Sequence, residues 1–142
     1  MKLTSRILFC VCAATLSMPV FALDKSGKKF DFGKEEYQAR CASCHGANGK
    51  GTGPLAMFLK DPSADLTQLA KKNGGILPIE RIYQSISGEN VPYHGTRDMP
   101  IWGDIYFYEA TCIYGDMPID TQSYIRGRIL SLIEYINRLQ VK

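Results

Sequence analysis

Two cysteines three residues apart, followed at once by a histidine, are the part of this sequence best suited to chemistry. The segment consists of Cys41, Ala42, Ser43, Cys44 and His45. Residues i and i+3 share one face of a helical turn, so both thiols can reach the two vinyl groups of one porphyrin and become thioethers. A neutral imidazole is a haem-iron ligand, and its second ring nitrogen needs an acceptor, here a nearby backbone carbonyl. The segment therefore predicts one haem c, attached through Cys41 and Cys44, with His45 on the iron.

Three other interpretations of this segment are weaker. A zinc site needs about four ligands, and the only other Cys or His side chains beyond residue 22 are His94 and Cys112. A redox pair of the thioredoxin type would belong to a βαβ pattern, which is not visible here. The remaining alternative is that the three side chains merely pack.

The amino terminus has the pattern of a secretory signal peptide. A basic start precedes an apolar core at 7–16 and a small-residue cleavage site at 20–22. The apolar run is far shorter than the ~20 residues that a spanning helix needs, so cleavage is favoured over an uncleaved anchor. We therefore expect residues 1–22 to be removed and residues 23–142 to form one periplasmic domain without a membrane span.

The composition is that of an ordinary globular domain. The chain has 142 residues, of which 45% are hydrophobic and 11% aromatic, enough for a packed core. Lys2 and Arg6 leave with the signal peptide, so 15 of the 17 basic side chains remain against 14 acidic ones. This near-neutral balance argues against a nucleic-acid partner. Cys10 and Cys12 leave as well, so Cys112 is an odd thiol in an oxidising compartment.

Four stretches have helical patterns, with capping residues at their starts and glycines beyond the ends of the first three. The first runs into the haem segment. The third should cover haem with its apolar face, and the last carries an apolar stripe from Ile125 to Ile136. The predicted starts are Asp31, Pro62 with Asp65, Pro78, and Asp120 with Thr121, and the predicted stops are Gly46, Gly74 with Gly75, and Gly88.

Two glycines inside these helices predict close helix contacts. Gly33, Tyr37 and Cys41 recur every four residues, so a notch and an aromatic ring share the face of the first haem cysteine, where another helix could pack. Gly127 inside the last helix likewise suggests close backbone contact. Between them, the glycine-rich segment 46–54 is predicted to be the loop under the haem.

By these motifs the sequence resembles the class I cytochrome c family, in particular the bacterial periplasmic monohaem members with a Met-Pro-x-Trp-Gly segment, here at 99–103. The resemblance covers roughly residues 30–141. It implies an all-α cytochrome c fold whose N- and C-terminal helices cross around covalently bound haem. It also implies that Gly33 and Tyr37 lie at this crossing, and that Pro54 offers its carbonyl to His45.

Met99 is predicted to be the second axial ligand of the iron. Pro100 fixes the backbone after Met99 and Trp102 supplies a large anchor, whereas Met117 lacks this support although its Asp-Met-Pro context is the same. His94 is the more serious competitor, because an imidazole binds ferric iron well. It lies in a flexible context, however, and the resemblance places a methionine on this side of the haem.

Residues 104–119 are a departure from the family, which usually connects the methionine segment to the final helix with fewer residues. Their periodicity leaves the type of element open. An aromatic flap that closes the haem edge is favoured over a partner-docking surface. Cys112 is expected to be buried in this insert, the alternative being a disulfide between two molecules.

An iron held by His45 and a methionine sulfur is closed to substrate, which suits reversible one-electron transfer. We therefore predict an electron carrier that is not itself an enzyme, either soluble or as a haem subunit of a redox complex. Its partners would be a dehydrogenase, reductase or oxidase. No acid–base pair, activated nucleophile or phosphate loop can be identified. The alternative is a ligand-binding or peroxidase-like haem protein with an open sixth position.

Overall fold

The fold is built from helices joined by turns and loops. The computed structural model describes residues 29–89 and 99–141, and no strand occurs within these ranges. The predicted signal peptide, at 1–22, and His94 lie outside the described residues. The helices are α1 (Phe32–Arg40), α2 (Ala42–His45), α3 (Leu69–Lys72), α4 (Ile79–Ser87), α5 (Trp102–Tyr114) and α6 (Thr121–Arg138), with 3₁₀ turns at Ala56–Phe58 and Leu66–Gln68.

Aspartate caps begin the helices where the sequence predicts them. The Asp31 carboxylate accepts a hydrogen bond from the backbone N–H of Lys34 at 3.1 Å, and that of Asp120 accepts one from Ser123 at 3.1 Å. Each bond satisfies a backbone donor that the first turn of a helix leaves without a partner. Of the predicted pair Pro62 and Asp65, it is Asp65 that lies at the start, where it caps the 3₁₀ turn before α3.

The first and last helices cross at Gly33, as predicted. A Cβ atom on Gly33 would lie 2.9 Å from the carbonyl carbon of Ser131 and 3.3 Å from the Cβ atom of Tyr135. The ring of Tyr37 is fully buried at the same contact, with its centroid 5.0 Å from that of Tyr135. Its hydroxyl donates to the carbonyl of Gly46 at 2.8 Å. The crossing is therefore tied directly to the loop after the haem segment.

The second glycine contact that the sequence predicted is not formed by the described residues. Gly127 is exposed, and a Cβ atom there would have no neighbour within 4 Å among the described residues. The contact with α1 lies one turn further along α6, at Ser131. The prediction failed because a glycine inside a helix marks a possible contact, while the crossing angle decides which turn makes it.

The insert forms most of a helix, α5, which packs on α6 and α4. Trp102, Tyr106 and Ala110 recur every four residues and are buried, so they form its inner face. The outer face exposes Phe107 and Tyr108. The sequence did not reveal this periodicity because both faces of the helix are apolar or aromatic.

One expectation about the insert is wrong: Cys112 is exposed on the outer face of α5 instead of buried. No residue of α5 lines the cavity described below. The aromatic flap over the haem edge stays a prediction. No helix in the described ranges is both long enough and apolar enough to cross a membrane.

Candidate functional site

The haem segment lies at a break between two helices. α1 ends at Arg40, and α2 restarts at Ala42, so Cys41 occupies the junction in place of the single continuous helix predicted. Gly46 ends α2 with a φ of 79°, a conformation that glycine adopts without strain. Cys41 and Cys44 are both free thiols and both half-buried. The segment thus presents its reactive side chains on one short helical turn that ends at Gly46.

The imidazole of His45 is oriented by a backbone carbonyl, as predicted, but not by the one expected. Its Nδ1 atom lies 3.0 Å from the carbonyl oxygen of Ala64, to which it donates. The implied acceptor, Pro54, is therefore wrong. The reason is a close chain crossing: a Cβ atom on Gly51 would lie 3.2 Å from the carbonyl carbon of Ser63. This contact brings the following residue, Ala64, against the imidazole.

A cavity of about 350 Å³ opens beside the haem segment. Its walls come from the junction of α1 and α2, the segment from 64 to 73, α4, Met99 and α6. The apolar part of the lining is formed by Leu66, Leu69, Pro78, Ile82, Ile86 and Ile136. As predicted, the apolar face of α4 covers the site. Such a lining suits a largely apolar ligand held by few polar groups.

Three of the four predicted site residues line this one cavity. Cys41, His45 and Met99 all contribute to its walls, although Met99 is 54 residues beyond His45 in the chain. Cys44 is half-buried beside them but is not part of the lining. Met117 is 58% exposed in the turn after α5 and is not part of it either. Of the two methionines in an Asp-Met-Pro context, only Met99 is therefore at the site.

The polar part of the lining was not predicted from the sequence. Lys72 and Asn73 contribute from the end of α3, and Arg81 and Ser85 from successive turns of α4. A signal for the last two was available, because Arg81 and Ser85 directly precede Ile82 and Ile86 on the face predicted to cover haem. No local signal indicated the Ala64 carbonyl, since backbone acceptors carry no sequence pattern.

The electrostatics of the site favour a neutral thiol over a metal-binding thiolate. Burial, together with the nearby Glu36 carboxylate, raises the pKa of the Cys41 thiol to about 12. Within residues 29–89 and 99–141, no group of three or more His, Cys, Asp or Glu side chains is arranged to hold a metal ion. The zinc alternative therefore finds no ligand set in this part of the chain.

The residues present fit haem c. Two thiols lie at the required spacing, an oriented imidazole and a thioether line one apolar cavity, and two cations stand in its wall where anionic propionates could be held. The fit concerns both the donor set and the apolar lining of the site. Helices, cavity and donors together support a c-type haem protein.

Comparison with known families agrees with this class. Residues 30–99 match the family model of cytochrome c. The match supports a c-type cytochrome and, with the helical structure, an all-α cytochrome c fold. Such a domain implies covalently bound haem c, and Cys41 and Cys44 lie within the matched residues. The family suggests haem-based electron transfer with redox partners. No curated protein and no solved structure matches the chain.

Proposed function

We propose that this chain is a periplasmic electron carrier that holds one haem c through Cys41 and Cys44, with His45 and Met99 as axial ligands. The observation that supports it best is that Cys41, His45 and Met99 line a single apolar cavity. The family match stops at Met99, the last residue that this ligand set requires. The periplasmic location rests on the signal peptide predicted for residues 1–22 and on the export that haem c attachment requires.

Each side chain has a distinct part in holding the cofactor. Cys41 and Cys44 form thioethers, which anchor the porphyrin at the junction of α1 and α2. The Ala64 carbonyl holds the proton of His45 on Nδ1, so the other ring nitrogen is free to bind the iron. Lys72 and Arg81 provide positive charge for the propionates. When bound, the haem supplies reversible one-electron exchange between Fe(II) and Fe(III).

Met99 distinguishes a carrier from a haem protein that binds exogenous ligands. Because its thioether lies in the cavity wall, the chain can supply both axial ligands and leave no free position on the iron. A soft thioether also favours Fe(II) and so raises the reduction potential. We therefore favour an electron carrier, soluble or as a haem subunit of a redox complex, whose partners are dehydrogenases, reductases or oxidases.

Absorption spectroscopy after export with the haem-attachment machinery tests this function. The wild-type protein should be low-spin, show the weak far-red band of Met-to-iron ligation, bind carbon monoxide only slowly and undergo a one-electron reduction. Acid–acetone should extract the haem of the Cys41→Ser, Cys44→Ser double variant but not that of wild type. Cys112→Ser is the matched control, because it removes a cysteine outside the segment and should retain its haem. A colourless wild-type protein would refute the proposal.

A further inference from the structure

The helix that follows the methionine segment is directly joined to it. Only Pro100 and Ile101 separate Met99 from the start of α5 at Trp102. Trp102 is buried, and the Arg40 guanidinium stands 5.6 Å from the centre of its ring. Any displacement of the amino-terminal turn of α5 would therefore also displace Met99.

Two glycines without side chains allow this turn of α5 to pack closely against the end of α4. A Cβ atom on Gly88 would lie 2.5 Å from the side chain of Ile101, and one on Gly103 would lie 2.5 Å from the carbonyl oxygen of Ser87. No larger side chain fits at either position without a shift of its neighbours. Since α4 forms a wall of the cavity, the methionine segment is held close to that wall.

Further along α5, a cluster of charged and hydrogen-bonded side chains joins it to α1 and α6. The Tyr106 hydroxyl donates to Glu36 at 2.9 Å, and Arg40 donates to Glu109. Arg128 donates to both carboxylate oxygens of Glu36, at 2.7 and 2.8 Å, and lies 3.4 Å from Glu109. The side chains of Glu36 and Arg128 are only 8% and 13% exposed, so water screens these contacts weakly.

This cluster connects the two halves of the haem site. α1 leads directly into Cys41 and His45, whereas α5 follows directly from Met99. We propose that Glu36, Tyr106 and Glu109 are positioning residues for Met99: by fastening α5 to α1 they keep Met99 in the cavity wall, where it would bind the iron. The inference rests on the proposed function, because it assumes that Met99 is an axial ligand.

A second ion pair provides the comparison that separates positioning from general stability. Arg138 of α6 pairs with Asp31 at the start of α1, at 2.6 Å. Like the cluster, this pair joins α1 to α6, but no residue of α5 takes part in it. Its loss should weaken the fold without affecting Met99, because the crossing at Gly33 keeps α1 and α6 together.

The test compares the holoproteins of wild type, Glu109→Gln, Tyr106→Phe and Arg138→Gln. Met99→Ala, which lacks the methionine, gives the upper limit of the ligand-binding rates. The rates of carbon monoxide binding to Fe(II) and of imidazole binding to Fe(III) report how often the methionine leaves the iron. Thermal unfolding of each protein is measured alongside. We expect Glu109→Gln and Tyr106→Phe to bind both ligands on the order of tenfold faster than wild type. Tyr106→Phe loses a hydrogen bond to the charged Glu36, and Glu109→Gln loses the negative charge that pairs with Arg40 and Arg128. Arg138→Gln should bind them at the wild-type rate.

Several outcomes would overturn the inference. Wild-type rates in both α5 variants would do so while leaving Met99 as the ligand, provided that wild type keeps its far-red band. The inference would also fail if Arg138→Gln bound both ligands as fast as the α5 variants at the same loss of melting temperature. The cluster would then act only by stabilising the whole fold. A wild-type protein without the band, binding ligands as fast as Met99→Ala, would overturn the axial assignment and this inference together. Tyr106→Phe keeps the buried ring, so it decides the matter if Glu109→Gln does not fold.

Discussion

Gly33 in α1 lies directly against the backbone of Ser131 in α6. A Cβ atom at Gly33 would be 2.9 Å from the carbonyl carbon of Ser131, closer than such atoms approach in folded proteins. The contact sets the distance between the two helices at their crossing. Because Cys41 follows α1 directly, the same contact also helps to set where the haem segment begins.

Replacement of Gly33 by valine should therefore destabilise the fold. The new side chain meets backbone, which cannot rotate away, so we expect a loss on the order of 1–3 kcal/mol from overpacking. Thermal unfolding of the holoprotein measures it. Gly127→Ala is the matched control: it has open space around it within a helix and should stabilise by roughly 0.5–1 kcal/mol. An unchanged melting temperature in Gly33→Val would contradict the crossing.

Removal of the Met99 thioether should open the sixth position of the iron. We expect Met99→Ala to lose the far-red band, lower the reduction potential and bind carbon monoxide rapidly, because a soft ligand that favours Fe(II) is gone. Absorbance spectra and a potentiometric titration check this. Met117→Ala and His94→Ala are the controls and should resemble wild type. Loss of the band in Met117→Ala alone would identify that residue as the ligand.

The thiol of Cys112 should react with thiol-specific reagents in the folded protein. It is exposed on α5, whereas Cys41 and Cys44 are expected to be blocked as thioethers. A reduced holoprotein treated with a maleimide without denaturant should therefore gain one adduct, measured by mass spectrometry. Cys112→Ser should gain none. A reaction that requires denaturant would contradict the exposed position. If wild type forms a disulfide dimer on non-reducing gels, that dimer should be absent from Cys112→Ser.

The start of α6 should weaken in acid. Hydrogen bonds from the Ser123 hydroxyl and backbone hold the pKa of Asp120 below its ordinary value. Because the folded pKa lies below the unfolded value of about 3.9, the ionised cap stabilises the fold above about pH 4, and this contribution is lost as the pH falls through the folded pKa. Asparagine still caps a helix, so Asp120→Asn isolates the charge.

Melting temperatures from about pH 6 to about pH 2 measure this effect. The melting temperature of wild type should exceed that of Asp120→Asn at about pH 6, and the difference between the two should shrink below about pH 4. Ser123→Ala removes the largest cause of the lowered pKa, so its transition should move to higher pH. A difference between wild type and Asp120→Asn that does not depend on pH would contradict the assignment.

Features that depend on neighbours in the chain were determined by the sequence alone. The spacing of Cys41, Cys44 and His45 predicts haem c because the chemistry requires both thiols and the imidazole on one turn. The caps at Asp31 and Asp120 follow from hydrogen bonds over three residues. The apolar stripe of α6 and the notch at Gly33 also follow from helical periodicity. The helical fold could therefore be predicted, together with its first crossing.

Features that depend on residues far apart in the chain were decided only by the tertiary structure. The acceptor for His45 is Ala64 and not Pro54, because a backbone carbonyl is selected by the path of the chain past Gly51. α5 was not predicted, since a helix that is apolar on both faces has no periodicity from which to choose an inner one. Its packing leaves Cys112 exposed and joins the helix to α1 through a hydrogen bond between residues 70 apart in the chain, from Tyr106 to Glu36.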